Sequence, residues 1–125
     1  MARSQMRERF RYFDYSSPTV SGVVTDTYTM VPSGEPDGAY FAARGVPGAR
    51  EVAIAGARDF RADGVVSTPD DSPWKENGLL RDLEDERLYF IRGPIQHARQ
   101  HGTLVVIIES SSFATGKTVR IVGEP

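Results

Sequence analysis

Thr103-Leu104-Val105-Val106-Ile107-Ile108-Glu109 decides the fold class. A short β-branched run between turn signals reads as a strand buried on both faces. Its apolar part is far too short to span a bilayer, which takes about 20 residues of helix. Working outward, Arg87-Leu88-Tyr89-Phe90-Ile91-Arg92 reads as a second strand, ended by Gly93-Pro94. The stretch 95–102 between them is polar, carries both histidines and reads as a connector. On the other side, Thr118-Val119-Arg120-Ile121-Val122 is expected to add an edge strand.

The rest of the chain repeats the pattern. Phe10 and Tyr12 alternate with charged residues, as in a strand with one buried face, and Ser16-Ser17-Pro18 ends that run. The stretch 20–31 is dense in valine and threonine, and Gly22 predicts a bulge or tight turn near Ser21. The proline- and glycine-rich stretch 32–38 is a loop, and Ala39-Tyr40-Phe41-Ala42-Ala43-Arg44 is a short strand. The alanines of 49–60 suit a helix of one or two turns, although Val52, Ile54 and Phe60 would suit a strand equally; a strand through Val65 and Val66 follows. Thr68-Pro69-Asp70-Asp71-Ser72-Pro73 is a second loop, and 74–85 offers no long apolar face. Six or so short strands, 12 glycines, 8 prolines and one short helix predict an all-β sandwich or small barrel with long loops.

The 125 residues fit a single domain, 1–125, with 111–125 as a C-terminal extension. Lys plus Arg is 15 against 17 Asp plus Glu, which argues against sequence-independent DNA binding, since that needs excess positive charge. There are no cysteines, so disulfides and thiolate metal sites are excluded. With no apolar run near Met1, the expectation is an intracellular product.

Each candidate for chemistry has a plainer rival. Phe113-Ala114-Thr115-Gly116-Lys117-Thr118 ends like a phosphate-binding loop, but Ser111 stands where the motif needs glycine, and strand rather than helix follows. His97 and His101 have helical metal-pair spacing, yet no acidic residue lies between Pro94 and Ile108 to complete a site. Asp82-Leu83-Glu84-Asp85-Glu86 lacks the spacing of a calcium loop and reads as a solvated acidic turn. Arg3, Arg7, Arg9 and Arg11 mix with aromatics, as on single-strand-binding surfaces, but a strand with a basic exposed face explains them more simply. No catalytic constellation can be nominated. The expectation is a non-enzymatic protein with no metal and no cofactor, whose long loops meet partners.

The order of pieces resembles the head–tail stopper (head-closure) proteins of siphophages. The resemblance rests on Met6-Arg7-Glu8-Arg9-Phe10-Arg11-Tyr12-Phe13, then Gly22-Val23-Val24-Thr25-Asp26-Thr27-Tyr28. Ala39 to Arg44 then leads into Pro47-Gly48-Ala49-Arg50-Glu51, like the family's Ser-Gly-Arg-Glu turn with one extra residue. Arg87-Leu88-Tyr89-Phe90-Ile91-Arg92-Gly93 and the run 104–109 resemble its closing strands. The middle, 62–80, and the tail beyond Ser110 are longer than the family pattern.

The resemblance implies a small β-barrel with one short helix, in a homo-oligomeric, twelvefold ring below the portal and its adaptor. A tail terminator or tail tube protein would lie beneath, and packaged DNA would pass through without specific recognition. The place would be the virion neck, after synthesis in the host cytoplasm. The family's long internal loop corresponds to 44–64, which makes Arg50, Glu51, Arg58, Asp59 and Arg61 the expected channel or subunit-contact residues. The alternatives are another neck or tail component such as a tail terminator, or a free-standing barrel that binds an oligonucleotide or small ligand.

Overall fold

The computed structural model describes residues 6–98, 102–111 and 119–125. In chain order its elements are β1 (Glu8–Ser16), β2 (Thr19–Val20), β3 (Val23–Val24), β4 (Asp26–Met30) and β5 (Tyr40–Gly45). Then come α1 (Ala49–Ala57), β6 (Gly64–Pro69), β7 (Leu79–Asp82), β8 (Leu88–Ala98), β9 (Thr103–Ser110) and β10 (Val119–Val122).

Six antiparallel strands close into a barrel in the order β1-β5-β6-β9-β8-β7, with β7 pairing back onto β1. Phe10 pairs with both Tyr40 of β5 and Asp82 of β7, while Phe13 pairs with both Met30 of β4 and Leu79 of β7. Strands β4 and β5 therefore share one edge of β1, and the loop 32–38 is an excursion between two registers on that edge. The C-terminal half of β1 thus leaves the barrel together with β4 to form a flap. Strand β10 extends the flap by pairing with β4 in parallel.

Alternation along β1 builds two cores. Phe10 and Tyr12 point into the barrel with Val66, Trp74, Leu80, Tyr89, Ile91, Leu104, Val106 and Ile108. Phe13 points outward and, with Tyr28, Leu79 and Phe90, forms a second cluster on the outer wall, flanked by Met30, Leu88 and Val119. Trp74 plugs the inner core, stacked on Tyr12 at 6.3 Å and edge-on to Phe10 at 6.3 Å and Tyr40 at 6.0 Å. Burying side chains of this size stabilises the fold by roughly 1.5–3 kcal/mol each.

The tight turn near Ser21 is present: Ser21 (φ 52°) and Gly22 (φ 79°) are both left-handed, the geometry of a two-residue hairpin between β2 and β3. The 49–60 ambiguity resolves as helix over Ala49–Ala57. Two expectations are corrected. Strand β8 does not end at Gly93-Pro94 but runs to Ala98 through a register shift between Arg92 and Gln96. A bulge absorbs the proline there, because the missing N–H falls where the ladder is already interrupted. Residues 95–98 of the polar connector 95–102 are consequently strand. The stretch 74–85 contributes both a core residue, Trp74, and a strand, β7.

Candidate functional site

Strands β5 and β6 pair through Ala43–Gly45 and Val65–Ser67, so residues 46–63 form one long excursion from the barrel rim. It leaves with Val46 90% exposed and carries α1, whose Val52 is 56% exposed. The helix has no side-chain N-cap; Glu51 in its first turn supplies the negative charge that an N-terminus favours. It stops where Asp59 turns left-handed at φ 58°, after the Arg58 amide bonds to the Ile54 carbonyl. Ala55 is buried, and Ile54 and Phe60 sit over Gly93 in the β8 bulge. Only this narrow inner side anchors the helix; most of its surface faces solvent.

The five expected site residues fall into two groups. Arg50 and Glu51 lie on the helix, Arg50 exposed and with no ion-pair partner among the described residues. Arg58, Asp59 and Arg61 lie at the return to the barrel. Arg58 Nη1 pairs with Glu76 Oε1 at 2.9 Å, and Arg61 Nε with Asp63 Oδ1 at 2.7 Å. The Arg61 amide donates to Glu109 Oε2, whose other oxygen takes Arg92 Nε at 3.2 Å. Arg58 and Asp59 join Phe60, Glu76, Asn77, Arg92, Gly93 and Glu109 around a cleft of about 330 Å³. Burial pulls the Asp63 carboxyl up, but the Ser110 amide and Arg61 outweigh it and hold the group below the usual value. The charges here are of mixed sign and largely matched, so the excursion is no concentrated cationic surface.

Sequence reasoning missed Arg44. Its Nη1 lies 3.0 Å from the Tyr89 hydroxyl and 3.5 Å from carboxylate oxygens of Asp82 and Asp85, and its guanidinium covers the Tyr89 ring at 4.5 Å. The Tyr89 hydroxyl in turn donates to Asp85. Burial and that bond to Asp85 push the Tyr89 phenol up, Arg44 opposing them. The acidic run 82–86 is therefore a solvated turn only in part: Asp82 is buried and also accepts from the Glu84 amide, and Asp85 accepts from the Arg87 amide. Among the described residues no three His, Asp or Glu side chains converge as metal ligands.

The arginines of β1 are not a free basic strip. Arg9 forks onto Asp37 at 2.9 and 2.6 Å and lies over Phe41. Its hydrogen bonds hold the Asp37 carboxyl below its usual value. Arg11 shares Glu124 with Arg81, at 3.3 and 2.6 Å. The phosphate-loop look-alike at 113–118 and His101 lie outside the described residues, and His97 is described only as a backbone position in β8.

No family model matches the chain, and no curated protein matches it. Among solved structures it is similar to the solution structure of a structural-genomics target from Shigella flexneri 2a, with a TM-score of 0.63 and 12% identity. The match covers 87% of this chain and 96% of that one. At this identity the likeness shows the fold alone.

Proposed function

We propose that the chain is a non-enzymatic structural subunit of a tailed-phage neck, forming a ring below the portal and adaptor that joins head to tail and continues the DNA channel. One observation carries the reading: a packed barrel extends a lightly anchored, mixed-charge helical excursion over 46–63, with Val46 and Val52 left open to solvent. Such a segment has little to do in a lone barrel and much to gain against a neighbour. The ordered motifs from Met6 to Glu109 support the same assignment.

Charge matching supports it as well. A lumen that lets DNA slide must not hold phosphates with many free cations. An oligonucleotide-binding barrel would need those cations free, whereas Arg9, Arg11, Arg44 and Arg92 are all engaged with carboxylates. In this reading Arg50, Glu51, Arg58, Asp59 and Arg61 meet a neighbouring subunit or the channel. Particles assembled with Arg50→Glu or Glu51→Arg chains are expected to lose packaged DNA or fail to join tails. Normal, DNA-retaining, infectious particles from both variants would overturn the assignment of the excursion. The neighbouring genes offer an independent check: portal and capsid genes on one side and tail genes on the other are expected.

A further inference from the structure

We infer that β10 is an exchangeable plug: it fills a slot on the outer wall of its own barrel in the free chain and the same slot of a second copy when chains assemble. The slot has two parts. The first is the edge of β4, where Val119 to Val122 pair in parallel with Asp26 to Thr29, and where Val119 packs on the outer cluster of Phe13, Tyr28, Leu79 and Phe90. The second is a polar clamp, in which Glu124 Oε2 takes Arg81 Nε at 2.6 Å and Arg11 Nη1 at 3.3 Å, with all three side chains less than one quarter exposed.

Together they read a peptide by strand pairing, one apolar side chain and a carboxylate five residues on. That is the chemistry of strand addition to a sheet edge. Among the described residues the plug pairs with β4, which stands outside the closed barrel, so no barrel strand takes a ladder from it. The occupant in trans is a second copy because every copy carries the matching segment.

Residues 111–118 connect β9 to the plug, and eight residues reach at most about 26–29 Å. A chain connection of that length makes docking in cis intramolecular, with an effective concentration on the order of millimolar. Where copies are held side by side, a neighbour's slot competes on similar terms, because each exchanged plug keeps all its contacts. A ring would thereby gain a strand-paired, ion-paired link from each subunit to the next. The inference rests on the ring reading only for why copies come together.

The test uses full-length chains with single cysteines, since the protein has none of its own. Thr29 and Val122 are register partners on the face away from Tyr28. The T29C/V122C double variant, dilute, is expected to close within one chain. An equimolar mixture of T29C and V122C chains at millimolar protein in a glutathione redox buffer is expected to give the mixed dimer about tenfold or more above either homodimer. Mixed dimer at no more than the random proportion, with the double variant closing normally, overturns the exchange. Failure of the double variant to close overturns the docking of β10 in its own slot. Neither result bears on whether the chain stands in a phage neck.

Discussion

Gly93 is where the helical excursion is fastened to the barrel, and replacing it by alanine measures that attachment. At φ +72° an L-residue is strained, by roughly 1–2 kcal/mol. The new Cβ would also stand 3.2 Å from Phe60 Cζ, 3.4 Å from Ile107 Cδ1 and 3.5 Å from Ile54 Cγ2. Crowding of that kind typically adds about 1 kcal/mol or more unless a neighbour yields. Gly93→Ala is therefore expected to destabilise the chain by about 2–3 kcal/mol in urea denaturation. Phe60 and Ile54 can yield by moving outward with the helix, whereas Ile107 belongs to β9 and cannot. Amides of Val52 and Arg58 should then exchange with deuterium faster, while those of β6 and β9 follow global stability. Gly56→Ala is the control: an added Cβ meets nothing within 4 Å at this helical position, and the change should stabilise by about 0.5–1 kcal/mol. Equal stability of Gly93→Ala and the parent, or helix amides that exchange at unchanged rates, would refute the docking geometry.

Further outcomes follow from particular contacts. Tyr12 is fully buried and its hydroxyl donates to Asp14 at 2.6 Å while accepting the Lys75 amide at 3.0 Å, so Tyr12→Phe should cost about 1.5–3 kcal/mol in the same denaturation assay. Asp37, Asp63 and Asp85 have carboxyl groups held below their ordinary value of 3.8 in the folded chain. Groups depressed in this way stabilise the fold above that value, and the contribution is lost as pH falls from it through the lower folded values. Melting temperature should accordingly drop below about pH 4, and the Asp63→Asn/Asp85→Asn double variant should show a shallower drop over that window. Burial and the nearby Asp26 push the Tyr28 phenol up to about 12, so Tyr28 should remain un-ionised in ultraviolet titration at pH 10.5, about half a unit above an ordinary tyrosine.

The elements that sequence patterning identified are those whose side chains alternate or are apolar throughout. Strand β9 is apolar because it is covered on both faces, Leu104, Val106 and Ile108 by the barrel core and Ile107 beside Gly93 under the helical excursion, and Phe10 and Tyr12 of β1 alternate with charges because one face looks inward. Strand β7 left no such signature: Leu79 and Leu80 are adjacent yet feed different cores, one outside the wall and one inside. The second half of β8 was hidden by Gly93-Pro94, normally punctuation, which here occupies a bulge. Arg50, Glu51, Arg58, Asp59 and Arg61 were legible as a charged set on one excursion, and the structure separates them into a helix pair and a group at the barrel rim. The Arg44 hub was not legible, because its partners Asp82 and Tyr89 lie 38 and 45 residues away and only barrel closure brings them to it.

If the chain stands in a phage neck, electron cryo-microscopy of the particles whose genome encodes it will show it there. The expected density is a ring at the head–tail junction whose subunits fit the six-stranded barrel, with the 46–63 excursions against neighbouring copies or the channel. A neck whose density is fully assigned to other proteins, with this chain absent from the particle, would contradict it.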